Sequence, residues 1–219
     1  MLQALDPELL LANACLFGGG TAMALRYGEY RESVDIDFLV SDREGYRAMR
    51  QRLGGAEGIN AIARGGMRLK QLREMRADQH GLRTLLDMEG TAIKFEVVLE
   101  GRIALEAPGA RDRVCGIATL TPLDMATCKL LANSDRWADD AVFSRDVIDL
   151  AMMERASGLL DRAREKAASA YGASIDTDLA KAIQAVKERP HRLDECMRAL
   201  QINTVPKALL WKRLRALTP

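Results

Sequence analysis

The sequence is poor in the residues that build disulfide frameworks and zinc sites. Its four cysteines are spread over 219 residues, none belongs to a CxxC pair, and there are only two histidines. A His/Cys metal site therefore lacks ligands, and a disulfide framework is not expected. We expect the thiols to be reduced, as in a cytoplasmic protein.

Long apolar runs are absent as well. No stretch approaches the roughly 20 apolar residues that a membrane-spanning helix needs, and no basic start leads into an apolar signal-peptide core. We therefore expect a cytoplasmic protein that does not associate with membranes.

Charge is nearly balanced, with a formal net charge of +1, so no global electrostatic preference for a partner follows. The exception is the segment from Arg43 to Arg83, which holds ten Lys and Arg against four Asp and Glu. A second basic stretch follows Pro206. Such runs commonly form solvated helix faces, but they could also follow a phosphate backbone.

The hydrophobic pattern predicts an α+β fold. Residues 34–40 alternate between apolar and acidic, which indicates a strand, and residues 82–88 and 92–99 predict a hairpin around Glu89-Gly90. After Pro122 the pattern is helical. We predict a catalytic domain with a mixed sheet over residues 1–118 and a helical domain over residues 119–219.

Asp35 and Asp37 are two residues apart on the first of these strands, so both carboxylates project from the acidic face. Along the strand they are about 6 to 7 Å apart. Paired carboxylates can hold the two Mg²⁺ ions that clamp the attacking and leaving oxygens of a phosphoryl displacement. Mn²⁺ is possible in the same place. On its own, however, an acidic pair on a strand is more often an ordinary exposed face.

Three further features favour a nucleotide site. Gly18, Gly19 and Gly20 precede a helix that Thr21 could cap, which provides open backbone N–H groups for phosphate. Glu96 offers a third carboxylate for a metal or a proton. In the helical half, Lys129 and the Arg145-Asp146 pair could neutralise nucleotide phosphates. Arg31, just before the acidic strand, could reach a phosphate or pair with Asp35.

These residues resemble the four successive motifs of AbiEii/AbiGii-type nucleotidyltransferases, which belong to the DNA polymerase β-like superfamily. The resemblance covers roughly residues 13 to 152 and implies a polymerase β-like nucleotidyltransferase domain, a mixed sheet flanked by helices, followed by a helical domain. The matching segments are Phe-Gly-Gly-Gly-Thr-Ala at 17–22, Arg-Glu-Ser-Val-Asp-Ile-Asp-Phe at 31–38, Lys-Phe-Glu-Val at 94–97, Lys129, and Arg-Asp-Val-Ile-Asp-Leu at 145–150.

The resemblance also implies a function. It suggests a toxin with a cognate antitoxin that uses Mg²⁺ to transfer a nucleotide from an NTP to RNA, in MenT-like members to the 3′ end of tRNA. The implied roles are metal binding by Asp35 and Asp37, aided by Glu96; triphosphate binding by Ser33, the Gly18–Gly20 loop and Thr21; and phosphate binding by Lys129. Asp146 or Asp149 would fill the last acidic position, and both lie on one face of a helix.

Two other functions fit the same carboxylates. One is nucleotidylylation of a small molecule or a protein, because the acceptor surface and not the active site distinguishes it from RNA modification. The other is nucleotide binding by an inactive protein of the same fold. Retention of all three carboxylates speaks against the inactive protein.

Overall fold

A computed structural model describes residues 1–153 and 156–218. The strands are β1 Leu16–Gly18, β2 Ile36–Val40, β3 Lys70–Gln71, β4 Arg76–Ala77, β5 Gly81–Met88, β6 Thr91–Leu99, β7 Arg113–Val114 and β8 Ile117–Ala118. The helices are α1 Pro7–Ala12, α2 Gly19–Arg26, α3 Arg43–Leu53, α4 Pro122–Arg136, α5 Arg145–Met152, α6 Leu159–Tyr171, α7 Ser174–Glu188, α8 Arg192–Ala199 and α9 Lys207–Arg215. Short 3₁₀ turns occupy Leu2–Ala4, Gly58–Ile62 and Asp140–Val142.

The chain forms two compact units, and each is built from two segments. The first unit contains Met1–Ala22 and Val34–Thr121, and the second contains Met23–Ser33 and Pro122–Pro219. The strands belong to the first unit, whereas α4 to α9 belong to the second. The predicted α+β fold class is confirmed.

A mixed sheet organises the first unit, with strands in the order β1-β2-β6-β5-β3 and β4 also paired with β5. Strand β2 runs parallel to β6, whereas β1–β2 and β5–β6 are antiparallel. Successive residues of a strand face opposite sides of the sheet. One face carries the core, in which the Phe17, Phe38, Val97 and Leu82 side chains lie side by side and are fully buried.

The β5–β6 hairpin was predicted and is confirmed, with Glu89 and Gly90 both at positive φ in the turn. The acidic strand is shorter than predicted, because β2 begins at Ile36. Val34 was expected on the buried face, but it lies outside the strand and is 50% exposed. Strand β2 pairs with β6 only from Ile36 onward and with β1 only from Asp37, so Val34 lies outside the paired part of the sheet.

The glycine run also differs from the prediction, in which the three glycines precede a helix that Thr21 caps. Gly18 ends β1 and α2 begins at Gly19, so Thr21 lies within the first turn of the helix. The chain can pass directly from strand to helix because Gly19 adopts a φ of +68°, a conformation that costs little only for glycine.

In the second unit, the chain after Pro122 forms helices α4 to α9, as the helical pattern there predicted. Helix α4 packs against α5, α6 and α7, and α9 packs against α5. Leu130 and Leu131 of α4 and Val147 and Ile148 of α5 are almost fully buried, which gives this unit its own core. Among the described residues, no helix has the length and apolar character needed to cross a bilayer.

Candidate active site

Asp37 and Glu96 lie directly opposite each other on adjacent parallel strands. The register pairs Asp37 of β2 with Glu96 of β6, and it continues to Gly18 on one side and Arg83 on the other. Residues opposed in this way project from the same face of the sheet. Each of these residues is next in sequence to a residue of the buried row that contains Phe17 and Phe38, so it lies on the opposite face of the sheet. That face therefore carries two of the three predicted carboxylates, Asp37 and Glu96.

Glu96 is held by two cations. The Arg83 Nε donates a hydrogen bond of 2.8 Å to one carboxylate oxygen of Glu96, and the Lys94 Nζ lies 2.7 Å from the other. The Glu96 side chain is only 12% exposed. The two cations therefore fix the orientation of this carboxylate beside Asp37.

Asp35 is exposed and directly precedes β2, whereas Asp37 is half-buried within it. The Thr21 hydroxyl donates a hydrogen bond to the backbone carbonyl of Asp35. This bond attaches the start of the acidic segment to the first turn of α2, so the predicted glycine and aspartate motifs form one local structure.

Gly19 contacts the Asp37 carboxylate so closely that no side chain fits between them. A Cβ atom at position 19 would lie 2.2 Å from the Asp37 Oδ2. The start of a helix presents free N–H groups and the positive end of its dipole. The junction between β1 and α2 is therefore built so that backbone, and not a side chain, lies against the acid.

Gly19→Ala is expected to disturb both the backbone and the carboxylate. A left-handed alanine costs about 1–2 kcal/mol, and displacement of a catalytic group by about 1 Å can lower activity by about 100-fold. We expect the variant to melt at a lower temperature than the wild-type protein and to lose about 100-fold in activity. Gly65→Ala is the control, because a Cβ there meets nothing within 4 Å. Equal behaviour of the two variants in thermal melts and activity assays would contradict the assignment.

No cluster of three or more His, Cys, Asp or Glu side chains in the described residues is arranged to hold a metal by itself. Asp37 and Glu96 lie opposite each other on one face of the sheet, and Asp35 lies two residues before Asp37, outside the strand. Such a set fits Mg²⁺, which commonly takes one or two carboxylates and completes its shell with water and substrate phosphates. It does not fit a metal that requires a complete protein cage.

In the second unit, Lys129 forms ion pairs with both of the acids that were alternatives for the last position. The Lys129 Nζ lies 3.0 Å from the Asp146 Oδ1 and 2.6 Å from the Asp149 Oδ2. Arg136 also pairs with Asp146, at 2.7 Å. Lys129, Asp146 and Asp149 are all less than 10% exposed. The three predicted residues are thus brought together in one buried network.

Asp149 has further partners that the sequence did not reveal. The Arg31 Nε and Nη2 donate hydrogen bonds of 2.7 and 2.9 Å to its two oxygens, and the Tyr30 hydroxyl donates a third. Arg31, considered for a phosphate or for Asp35, therefore has Asp149 as its ion-pair partner. A bidentate arginine–carboxylate pair of this kind has a fixed geometry.

Charge pairing dominates the pKa values of this network. Burial by itself lowers the pKa of Lys129, but Asp149 and Asp146 outweigh it, and that pKa is raised. Burial likewise raises the pKa of Asp149, but Lys129 and Arg31 outweigh it and lower that pKa. Burial raises the pKa of the Tyr30 hydroxyl well above its usual value. Burial also raises the pKa of Asp146, but Lys129 and Arg136 outweigh it and lower that pKa. The lysine and both aspartates are therefore charged, and Tyr30 is neutral, at physiological pH.

A cavity of about 420 Å³ in the second unit is lined in part by Arg31 and Ser33, two of the predicted nucleotide-binding residues. Its size falls in the range of small-molecule sites. Gln201, Asn203 and Thr204 also line it, and no local pattern in the sequence marked them. The hydrogen bond from Glu32 N to Leu200 O joins the two segments that form this cavity.

Comparisons with known proteins bear on the fold and on the family. Two Helicobacter pylori crystal structures share the fold: a candidate nucleotidyltransferase and JHP933, with TM-scores of 0.52 and 0.50 and identities of 15% and 14%. Each match covers 96% of this chain, and 89% and 86% of those chains. No curated protein matches. The family model described as the nucleotidyl transferase AbiEii toxin of a type IV toxin–antitoxin system matches residues 1–216. The chain therefore belongs to the AbiEii nucleotidyltransferase toxin family.

Proposed function

We propose that this protein transfers a nucleotide from an NTP to RNA in a Mg²⁺-dependent reaction, with the 3′ end of tRNA as the principal acceptor. The observation that carries the proposal is the position of Asp37, which lies opposite Glu96 and against the backbone of Gly19. Carboxylates beside an open backbone N–H site suit a metal-bound triphosphate. Family membership supports the nucleotidyltransferase class and implies a cognate antitoxin.

Asp35 and Asp37 would hold the metal, and Mn²⁺ could replace Mg²⁺ there. When bound, the ions would neutralise charge on the triphosphate and on the leaving pyrophosphate. The carboxylate oxygens of these residues are the ligands that a hard cation such as Mg²⁺ prefers.

The remaining residues bind and orient the reactants. Backbone N–H groups of Gly18, Gly19 and Gly20 would bind phosphate oxygens at the start of α2, near Thr21. The RNA hydroxyl attacks the α-phosphorus of the NTP, a new P–O bond forms, and the bond to pyrophosphate breaks. Glu96, held in place by Arg83 and Lys94, is the candidate to accept the proton of the attacking hydroxyl.

The second unit would contribute nucleotide contacts. Ser33 and Arg31 line the cavity of about 420 Å³, although the Arg31 side chain itself is only 4% exposed. Asp149 holds Arg31, and Lys129 holds Asp149, so the network positions the arginine. We therefore propose Lys129 and Asp149 as positioning residues for Arg31, and Asp146, which also contacts Lys129, for the last acidic position.

Incubation with pooled tRNA, Mg²⁺ and each radiolabelled NTP in turn tests the proposal. We expect label from at least one NTP to enter the RNA, EDTA to abolish the transfer, and added Mg²⁺ or Mn²⁺ to restore it. RNA with a blocked 3′ hydroxyl should remain unlabelled. Absence of incorporation with all four NTPs would refute RNA as the acceptor. Label in protein or in a small molecule would instead support the alternative acceptors.

A further inference from the structure

A second cavity in the helical unit, of about 540 Å³, has no role in the proposed reaction. We call it the Trp211 groove. It is formed by the end of α7, the start of α8 and the first half of α9. Its lining residues are Val186, Lys187, Arg189, Pro190, His191, Arg192, Leu193, Lys207, Ala208 and Trp211.

Positive charge dominates this lining, which includes two arginines and two lysines and no acidic residue among the described positions. Acids outside the lining pair with three of the four: Asp140 with Arg189 and Arg192, Glu195 with Arg192, and Asp194 with Lys207. The Arg189 and Lys207 side chains are still 48% and 54% exposed. Exposed ion pairs of this kind contribute little stability, so an incoming anion can compete for these cations.

Two helices begin at the groove without a side-chain cap. His191 and Pro206 occupy the N-cap positions of α8 and α9, and neither side chain caps its helix. The first turn of α9 contains no acid, whereas that of α8 contains Asp194 and Glu195, so the start of α9 is the one suited to an anion. The first N–H groups of a helix lack partners within it, and its N-terminus favours anions. Lys207, at the first position of α9, adds a charge in the same place.

Trp211 supplies an aromatic surface next to these cations. Its side chain lines the groove and is half-buried, and the Arg215 guanidinium lies 6.0 Å from the ring centroid. Aromatic rings beside basic side chains are what proteins use to bind single-stranded nucleic acid, since the ring stacks on a base and the cations bind the phosphates.

We propose that the Trp211 groove binds one nucleotide of a single-stranded part of the RNA acceptor. The phosphate would contact the start of α9, Lys207 and Arg189, and the base would stack on Trp211. The proposal rests on the proposed function in one respect, namely that RNA is the acceptor. The groove suits RNA better than an acidic protein, because it combines basic side chains for phosphate with the aromatic face of Trp211 for a base.

The chain has two tryptophans, Trp137 and Trp211, which permits a direct test. In the Trp137→Phe protein, fluorescence comes from Trp211 alone. We expect a single-stranded RNA oligonucleotide to quench it saturably, in the absence of NTP and metal. Inorganic triphosphate, which has no base, should cause little quenching, and free NTP should bind much more weakly than the oligonucleotide. Quenching by triphosphate equal to that by RNA would overturn the stacking assignment.

Substitutions separate the base contact from the phosphate contact. RNA binding by the unlabelled protein variants is measured by the fluorescence anisotropy of labelled RNA. Trp211→Leu should weaken RNA binding about 5- to 100-fold, and Trp211→Phe should restore most of it. Lys207→Gln should reduce the slope of log affinity against log salt by about 0.7. Lys181→Gln, which removes an exposed cation near Trp137, is the control. Unchanged RNA binding by folded Trp211→Leu and Lys207→Gln proteins would refute the groove.

This binding assay requires no catalysis, so it distinguishes the groove from the proposed function. If both hold, Lys207→Gln should raise the KM for RNA and leave kcat and the KM for NTP unchanged. Stacked RNA without nucleotide transfer would support the groove and count against the transferase proposal. Nucleotide transfer to RNA that the Trp211→Leu substitution does not change would support the transferase proposal and count against the groove.

Discussion

Asp37→Asn is expected to lower the rate of nucleotide transfer by about 1,000-fold while the protein stays folded. Asparagine preserves the shape of the side chain and its packing against Gly19, but it removes the negative charge. Loss of a metal-binding charge costs several kcal/mol of transition-state stabilisation, and about 4 kcal/mol corresponds to three orders of magnitude in rate. Single-turnover rates at saturating Mg²⁺ measure the effect.

Asp87→Asn provides a matched control on the same sheet. Asp87 lies in β5 and forms an exposed ion pair with Lys70, whose side chain is 73% exposed. Its substitution should change the rate of transfer by less than about twofold. An exposed ion pair contributes at most about 1 kcal/mol, and it contributes this to folding stability and not to catalysis. If Asp37→Asn retained more than a tenth of the wild-type rate, Asp37 would not be a metal ligand.

Local features of the fold could be predicted from the sequence. The turn at Glu89 and Gly90 has the residue types that a tight hairpin requires, and the flanking alternation fixes its strands. Lys94 and Glu96 are two residues apart in the alternating pattern of β6, which places them on one face, and they form an ion pair there. In each case the information lies within a few residues of the feature.

Contacts between distant segments could not be predicted. The parallel pairing that places Glu96 opposite Asp37 depends on the whole path of the chain between β2 and β6. Tyr30 and Asp149 are 119 residues apart, and nothing near either one specifies the other. The motifs therefore identified Arg31, Lys129 and Asp149 as a set, but not the ion pairs among them, because those depend on packing.

Asp149→Ala is expected to have the largest effect on stability, a loss of about 3–5 kcal/mol in the free energy of unfolding. Asp149 is fully buried and accepts hydrogen bonds from Tyr30 and Arg31 while pairing with Lys129. Removal of one partner of a buried ion pair leaves an uncompensated charge, which costs this amount. Since domains are stable by only about 5–15 kcal/mol, the variant should approach the limit of folding.

Asp176→Ala, in the same unit, controls for the loss of an ion pair as such. Asp176 pairs with Arg164, but its side chain is 51% exposed, so its removal should cost at most about 1 kcal/mol. Urea denaturation of both variants gives the comparison. If Asp149→Ala were no less stable than Asp176→Ala, the buried network would not hold Arg31 in place. The position of Arg31 in the cavity that it shares with Ser33 would then need another explanation, because Asp149 would not hold the arginine there.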